Sequence, residues 1–313
     1  MPKISVVLPV HNEAPNLPEL SERLTKTLDG LVDGDWEVVM VDDGSTDDSW
    51  ELMRDFRAKD KRFKIIRLSR NFGQYAAAMA GMTASNGDCV VIMDADMQEP
   101  PEEIVKLYEK FQEGYDIVYG IRENRADNLL RRLFTWIYWS ILAGLSGVRM
   151  SKNQGMLRLA SRRAAETLSR MGDMARFIDG AFAWVGFPRA EVMVSQAHRT
   201  KGKSSYTPRK MLRVVLNVLT TYSTAPLRLA SVFGVLFIIP AIGLAIYYIA
   251  LRIIYPDVPP GFTATVIIIL FMGGLQMLLL GIIGEYIATI FSEIKGRPHY
   301  IIMEAQLGQE EGK

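Results

Sequence analysis

Apolar residues come in short runs through the first part of the chain, and each run stops at a polar or acidic cluster. Residues 4–10 read as a strand ending in His11-Asn12-Glu13, after which leucines at helical spacing predict a helix over 17–28. A second strand over 36–41 closes with Asp42-Asp43-Gly44-Ser45-Thr46-Asp47-Asp48, followed by a helix over 49–56. A third over 64–68 leads into Ser69-Arg70-Asn71-Phe72-Gly73-Gln74 and an alanine-rich helix over 75–84. The fourth, over 90–93, halts at Asp94-Ala95-Asp96-Met97-Gln98-Glu99, where Pro100-Pro101 keeps the strand from continuing. Residues 115–120 read as a fifth. This alternation predicts an α/β fold in which a mostly parallel sheet is covered by helices and polar loops gather at one edge.

Ligands bind at that edge of an open α/β sheet. It would collect His11, Asn12, Glu13, Asp42, Asp43, Arg70, Asp94 and Asp96. Two carboxylates with a nearby amide oxygen suit a hard divalent cation, Mg²⁺ or Mn²⁺, able to hold a diphosphate. Taken alone, Asp-x-Asp reads as readily as a solvated turn or a helix cap.

Further along, the pattern changes from short runs to long ones. Residues 230–251 and 262–284 carry no charge, and at ~1.5 Å per residue each covers the roughly 30 Å of a bilayer core. They predict a transmembrane helical hairpin joined by a loop over 252–261, with 206–228 as an amphipathic approach and 291–313 as a C-terminal tail, disordered after Glu304. Residues 129–145 are apolar on one face and hold Arg131, Arg132, Trp136 and Trp139. They form either a helix in the membrane interface or one packed inside the α/β domain of residues 1–205. Arg209, Lys210, Arg213 and Arg228 before the pair, and Lys295 and Arg297 after it, place both flanks in the cytoplasm. The reading is a multi-pass protein of the inner membrane with its α/β domain in the cytoplasm.

A net charge of +1 hides an asymmetry. No acid lies between Glu191 and Asp257, while Arg199, Lys201, Lys203, Arg209, Lys210, Arg213 and Arg228 do, so this stretch faces phosphates or an acidic membrane surface. The lone Cys89 excludes an intrachain disulfide and, at the start of an apolar strand, reads as a buried, unreactive thiol.

Four blocks now combine: Pro9-Val10-His11-Asn12-Glu13, Val41-Asp42-Asp43-Gly44-Ser45-Thr46-Asp47, Arg70-Asn71-Phe72-Gly73-Gln74 and Asp94-Ala95-Asp96-Met97-Gln98-Glu99-Pro100-Pro101. In this order and spacing the chain resembles the inverting glycosyltransferases of family two, with the GT-A, Rossmann-like nucleotide-sugar fold. Asn153-Gln154-Gly155-Met156-Leu157-Arg158-Leu159 stands where members carry Asp-x-Gly-x-Phe-Arg-Leu, and 198–206 is similar to the basic acceptor motif of polyprenyl-phosphate sugar transferases. Gly284-Glu285-Tyr286-Ile287 and Glu293–Tyr300 are similar to the carboxyl-terminal signature of the bacterial undecaprenyl-phosphate members.

The resemblance implies a site, residue by residue. Pro9 and Glu13 would border the nucleoside, His11 would stand where relatives often have Tyr, and Asp42 and Asp43 would contact base and ribose beside Gly44 and Ser45. Arg70 would approach the diphosphate, Asp94, Asp96 and Gln98 would surround the metal, and Asp94, Asp96 and Arg70 would carry catalysis. Arg122, Arg131, Arg199, Lys201 and Ser204 would hold an acceptor phosphate. Asn153 replaces the family acid, and an amide is no general base; the change matters little when the nucleophile is already an anion, as a lipid phosphate is. The implied activity is metal-dependent transfer of glucose from UDP-glucose to a polyprenyl phosphate, by a homo-oligomer with no nucleic-acid partner. A processive polysaccharide synthase would bring a Gln-x-x-Arg-Trp stretch and more spans, and neither occurs. A degenerate nucleotide-binding scaffold would explain Asn153 but not the four intact blocks.

Overall fold

The computed structural model describes residues 4–122, 154–171, 178–195 and 261–307, with scattered helical positions between 227 and 254. These fall into two units. The first holds the described residues up to Ser195 together with those from Pro298 onward, and the second holds the helical residues between 227 and Arg297.

Strand β1 (Ile4–Val10), helix α1 (Leu17–Val32), β2 (Trp36–Asp42), α2 (Ser49–Lys59), β3 (Phe63–Leu68), α3 (Gln74–Ala84) and β4 (Cys89–Ile92) follow the expected alternation. A short 3-10 turn at Pro101–Glu103 then opens α4 (Ile104–Gln112), which leads to β5 (Ile117–Arg122). Beyond these lie β6 (Gln154–Ser161), α5 (Arg162–Ser169), α6 (Ile178–Trp184), β7 (Arg189–Val194) and, near the end, β8 (Ile302–Gln306). The sheet order is β7-β5-β6-β4-β1-β2-β3-β8. Within it β6 and β8 run against the other strands, so β1 to β5 and β7 all bring their carboxyl ends to one edge.

Burial on both sides of the sheet explains the near-continuous apolar runs. One face packs Leu17, Leu20, Leu24 and Leu28 of α1, Trp50 and Met53 of α2, and Ile104 and Leu107 of α4. The other packs Ala77, Ala78 and Met82 of α3, Ala164 and Leu168 of α5, and Ile178 and Phe182 of α6. The four α1 leucines are fully buried, and at about 1.5–3 kcal/mol each they anchor the helix behind the β1 loop. Alanines on α3 let that helix lie close to the sheet, which fixes where the loop before it ends.

Helix α7 (Phe262–Ile294) contains Phe271–Phe291, a stretch long and apolar enough to cross a membrane by length and composition. It continues past the expected end at Gly284. The expected first span, 230–251, lies mostly outside the described residues, as do 129–145 and 206–226. The tail departs from expectation. Residues 305 and 306, read as disordered, belong to β8, which pairs with β3 from Ile65–Gln306 to Leu68–Ile302. Pairing to an existing strand, rather than local pattern, orders this mostly exposed segment.

Candidate active site

The loops at the carboxyl edge are tied to each other before any ligand is considered. After β1, the Asn12 N–H donates to Ser45 Oγ at 3.0 Å and the Glu13 N–H to Ser49 Oγ at 3.0 Å. Asn12 sits at φ 57, a left-handed conformation that asparagine tolerates, and its Oδ1 accepts the Thr46 N–H at 2.8 Å. His11 Nδ1 donates to the Asp43 carbonyl at 2.9 Å, leaving Nε2 to accept from the Asn71 amide at 3.2 Å. His11, Asn12 and Asn71 are exposed, so this polar rim is open to a ligand.

Asp42 and Asp43, expected on the base and ribose, are both buried and turned onto protein. Asp42 Oδ1 accepts the Ser45 N–H at 2.8 Å, and its Oδ2 lies 3.3 Å from Arg67 Nε. Asp43 accepts the Phe72 and Gly73 N–H groups at 2.7 and 2.9 Å, so its carboxylate holds the loop before α3. Burial pushes its carboxyl above the ordinary range, against the opposing pull of those two bonds. Gly44, at φ 68, passes so close to this loop that a Cβ would lie 2.7 Å from the Arg70 carbonyl carbon and the Asn71 nitrogen. Arg70 itself is exposed and lies over the Phe72 ring at 4.3 Å. Pro9 is buried within β1, Ser45 beneath the loops, and Glu13 accepts from Asn16 Nδ2 at 2.6 Å.

Just past β4 the acids gather. Gln74 Nε2 donates to Asp94 Oδ1. Asp96 accepts the Gln98 N–H at 3.1 Å and Gln98 Nε2 at 2.7 Å around Met97, which sits at φ 61. A bulky residue rarely adopts that conformation, and the Asp96–Gln98 bonds across it hold the two expected metal-side groups next to each other. Burial and the neighbouring Glu99 and Asp96 carboxylates push the Asp94 carboxyl up to about 7, opposed by Arg122 and Arg158.

Whether these residues fit a divalent cation follows from that charge pattern. Asp94 and Asp96 supply hard oxygen donors and Gln98 an amide oxygen, and a cation would offset both the burial and the neighbouring carboxylates that disfavour an ionised Asp94. Among the described residues no group of three or more His, Cys, Asp or Glu side chains is arranged to hold a metal by itself. The set fits a cation whose remaining ligands come from a diphosphate or from water, as Mg²⁺ commonly binds.

On the far side of Asp94, Glu99 is fully buried. Its Oε1 accepts Arg122 Nε and Nη2 at 3.1 and 2.9 Å, and its Oε2 accepts the Leu157 N–H at 2.8 Å. Arg122 thus stands at the expected edge, at the end of β5, paired to a carboxylate. Arg158, opposite Ile92 in the β4–β6 register, is buried; its Nη2 donates to Asp179 and to the Gly155 carbonyl, each at 2.8 Å. Arg131, Asn153, Arg199, Lys201 and Ser204 lie outside the described residues.

The sequence profile described as glycosyl transferase family 2 matches residues 5–167. This chain belongs to that family. Among its relatives are an uncharacterized glycosyltransferase, YkcC, of Bacillus subtilis, 34% identical with 96% of this chain and 93% of that one covered, and the undecaprenyl-phosphate 4-deoxy-4-formamido-L-arabinose transferase of Salmonella choleraesuis, 35% identical over 96% and 93%. Similar solved structures include S. aureus TarS 1–349 in complex with UDP-GlcNAc, with a TM-score of 0.47, 17% identity, and 70% of this chain and 66% of that chain covered.

In this family-two transferase the sequence reading assigns no role to several residues that tie the loops of this edge together. Asn71 and Gln74 belong to one of the four blocks with no role of their own, yet their amides orient His11 and Asp94. Glu99, Arg158 and Asp179 carry no role in that reading either. An arginine inside the apolar run Met156-Leu157-Arg158-Leu159 is the available signal, because a buried guanidinium requires a buried partner.

Proposed function

We propose that this transferase moves a sugar, glucose from UDP-glucose in the most specific form of the proposal, onto a polyprenyl phosphate at the cytoplasmic face of the membrane, with inversion at the anomeric carbon. The observation that carries the reading is the meeting, at one sheet edge, of the acids proposed for the donor and the arginine proposed for the acceptor. Asp94 and Asp96 follow β4, Arg122 ends β5, and Arg122 is near enough to act on the Asp94 carboxyl. Support comes from relatives named as undecaprenyl-phosphate transferases that match almost the whole chain, and from the apolar stretch in α7.

In this mechanism His11, Asn12 and Asn71 form the rim that receives the nucleoside, with Pro9, Glu13, Asp42, Asp43, Gly44 and Ser45 shaping the loops beneath it. Arg70 approaches the diphosphate. Asp94, Asp96 and Gln98 would hold a divalent cation, and the chemistry it would supply when bound is charge neutralisation of a departing nucleoside diphosphate. Arg122, with Arg131, Arg199, Lys201 and Ser204, holds the lipid phosphate so that one of its oxygens lies in line with the bond to be broken. That oxygen is already ionised, so no general base is required and Asn153 is compatible with turnover. Two membrane-spanning helices with both flanks in the cytoplasm would keep the site at the lipid headgroups, and small residues on them would allow protomers to pack as a homo-oligomer.

The test is incubation of the full chain in detergent with polyprenyl phosphate and a panel of nucleotide sugars, with the lipid product identified by mass spectrometry and its anomeric configuration by NMR. Glucosyl lipid of inverted configuration supports the proposal in full. Transfer of a formamido-arabinose unit instead, the sugar in the names of several relatives, would keep the acceptor and replace the donor. No sugar lipid with any donor would overturn it.

A further inference from the structure

Glu99 lies beyond the acids of the donor side, yet every bond it makes points to the other side of the site. Oε1 takes both Nε and Nη2 of Arg122, and Oε2 takes the Leu157 N–H, so one carboxylate joins the loop after β4, the end of β5 and the start of β6. The space it occupies is reserved by a glycine. A Cβ on Gly155 would overlap Glu99 Oε1 and stand 2.9 Å from Arg122 Nε, so even alanine would displace the pair. Glu99 is 0% exposed, while the Arg122 side chain keeps 29%. The arginine is therefore gripped along one edge and left open along part of its remainder.

We propose that Glu99 is the positioning residue of the acceptor side: it locks Arg122 through a two-bonded grip, in the space Gly155 leaves open, so that the guanidinium meets the acceptor phosphate in a fixed orientation. This rests on the reading of Arg122 as a phosphate ligand. A free arginine on a strand end samples many rotamers, and a phosphate that captures it must order it. Held by Nε and Nη2, the planar fork has its orientation set before the anion arrives. The pair also carries no net charge, so its contribution is direction more than attraction.

Kinetics separates this role from simple structural support. Glu99→Asp pulls the carboxylate back by one methylene, Arg122→Lys keeps the charge but loses the fork, and Gly155→Ala crowds the pair without changing any charge. Each is expected to raise KM for polyprenyl phosphate about tenfold, the loss of one well-oriented interaction, while KM for the nucleotide sugar moves little. Glu99→Asp and Gly155→Ala, which disturb a buried contact, also lower the melting temperature, so KM is compared where every variant is folded. The Glu99→Asp/Arg122→Lys double variant should be no worse than Arg122→Lys alone, because both remove the same orientation. Losses that add, or a donor KM that rises in step with the acceptor KM, would overturn the positioning role while leaving the transferase reading in place. An unchanged acceptor KM in folded Arg122→Lys would do the same. Absence of transfer to polyprenyl phosphate by the unaltered chain would instead overturn both.

Discussion

Replacing Asp94 by asparagine should make the metal-free protein more stable, and increasingly so as pH rises. The Asp94 carboxyl titrates at about 7 in the folded chain against an ordinary 3.8, because burial and the charges of Glu99 and Asp96 disfavour its ionised form. The folded state therefore holds a proton that the unfolded chain releases, and stability falls as pH climbs from about 4 to about 7, with the full penalty present above that. The gap between 3.8 and about 7, at ~1.36 kcal/mol per pH unit, sets a ceiling of about 4 kcal/mol. Part of the Asp94 surface remains open to solvent, so roughly half of that, about 2 kcal/mol, is expected. An asparagine in its place cannot ionise and keeps a partner in Gln74. The assay is urea unfolding of the full chain in detergent with chelator present, followed by tryptophan fluorescence from the buried Trp36 and Trp50, at about pH 5 and about pH 8, either side of the folded-state titration. The Asp94→Asn midpoint should exceed that of the unaltered chain at the higher pH and approach it at the lower. Adding Mn²⁺ at the higher pH should raise the unaltered midpoint and leave the variant's nearly in place, since a ligand stabilises only the state that binds it. A variant less stable at the higher pH, or a difference independent of pH, would refute the electrostatic reasoning.

Other outcomes follow from neighbouring observations. Asp96→Ala should abolish transfer while the protein stays folded, which circular dichroism alongside the activity assay would show. Gly44→Ala should destabilise by about 1–2 kcal/mol, as a β-carbon must adopt a left-handed conformation against the Arg70 backbone, and it should raise donor KM by shifting that loop; thermal unfolding and donor titration measure both. Cys89, fully buried with its thiol pushed up by burial, should resist a maleimide reagent until denaturant is added. Labelling of the native chain would show that β4 opens.

The parallel half of the fold is legible because β1, β2 and β4 are buried on both faces, so their sequences are largely apolar and end sharply at turns. Strand β6 is not, because Arg158 breaks its apolar run and is tolerated through Asp179 and the Gly155 and Met156 carbonyls, partners distant or hidden in sequence terms. Strand β8 escapes for a different reason: four of its five residues are exposed, and its extended form comes from β3. In the site, motifs locate the acids but not their directions. Asp42 and Asp43 turn inward because loop N–H groups at Ser45, Phe72 and Gly73 need acceptors, a demand of the folded backbone that spacing along the chain does not express.

Release of nucleoside diphosphate, followed with polyprenyl phosphate present and absent and before and after chelation, tests the central claim most directly. Release should need the lipid phosphate, stop when divalent metal is removed, and return with Mg²⁺ or Mn²⁺. Full release after chelation, or release indifferent to the lipid, would contradict the account.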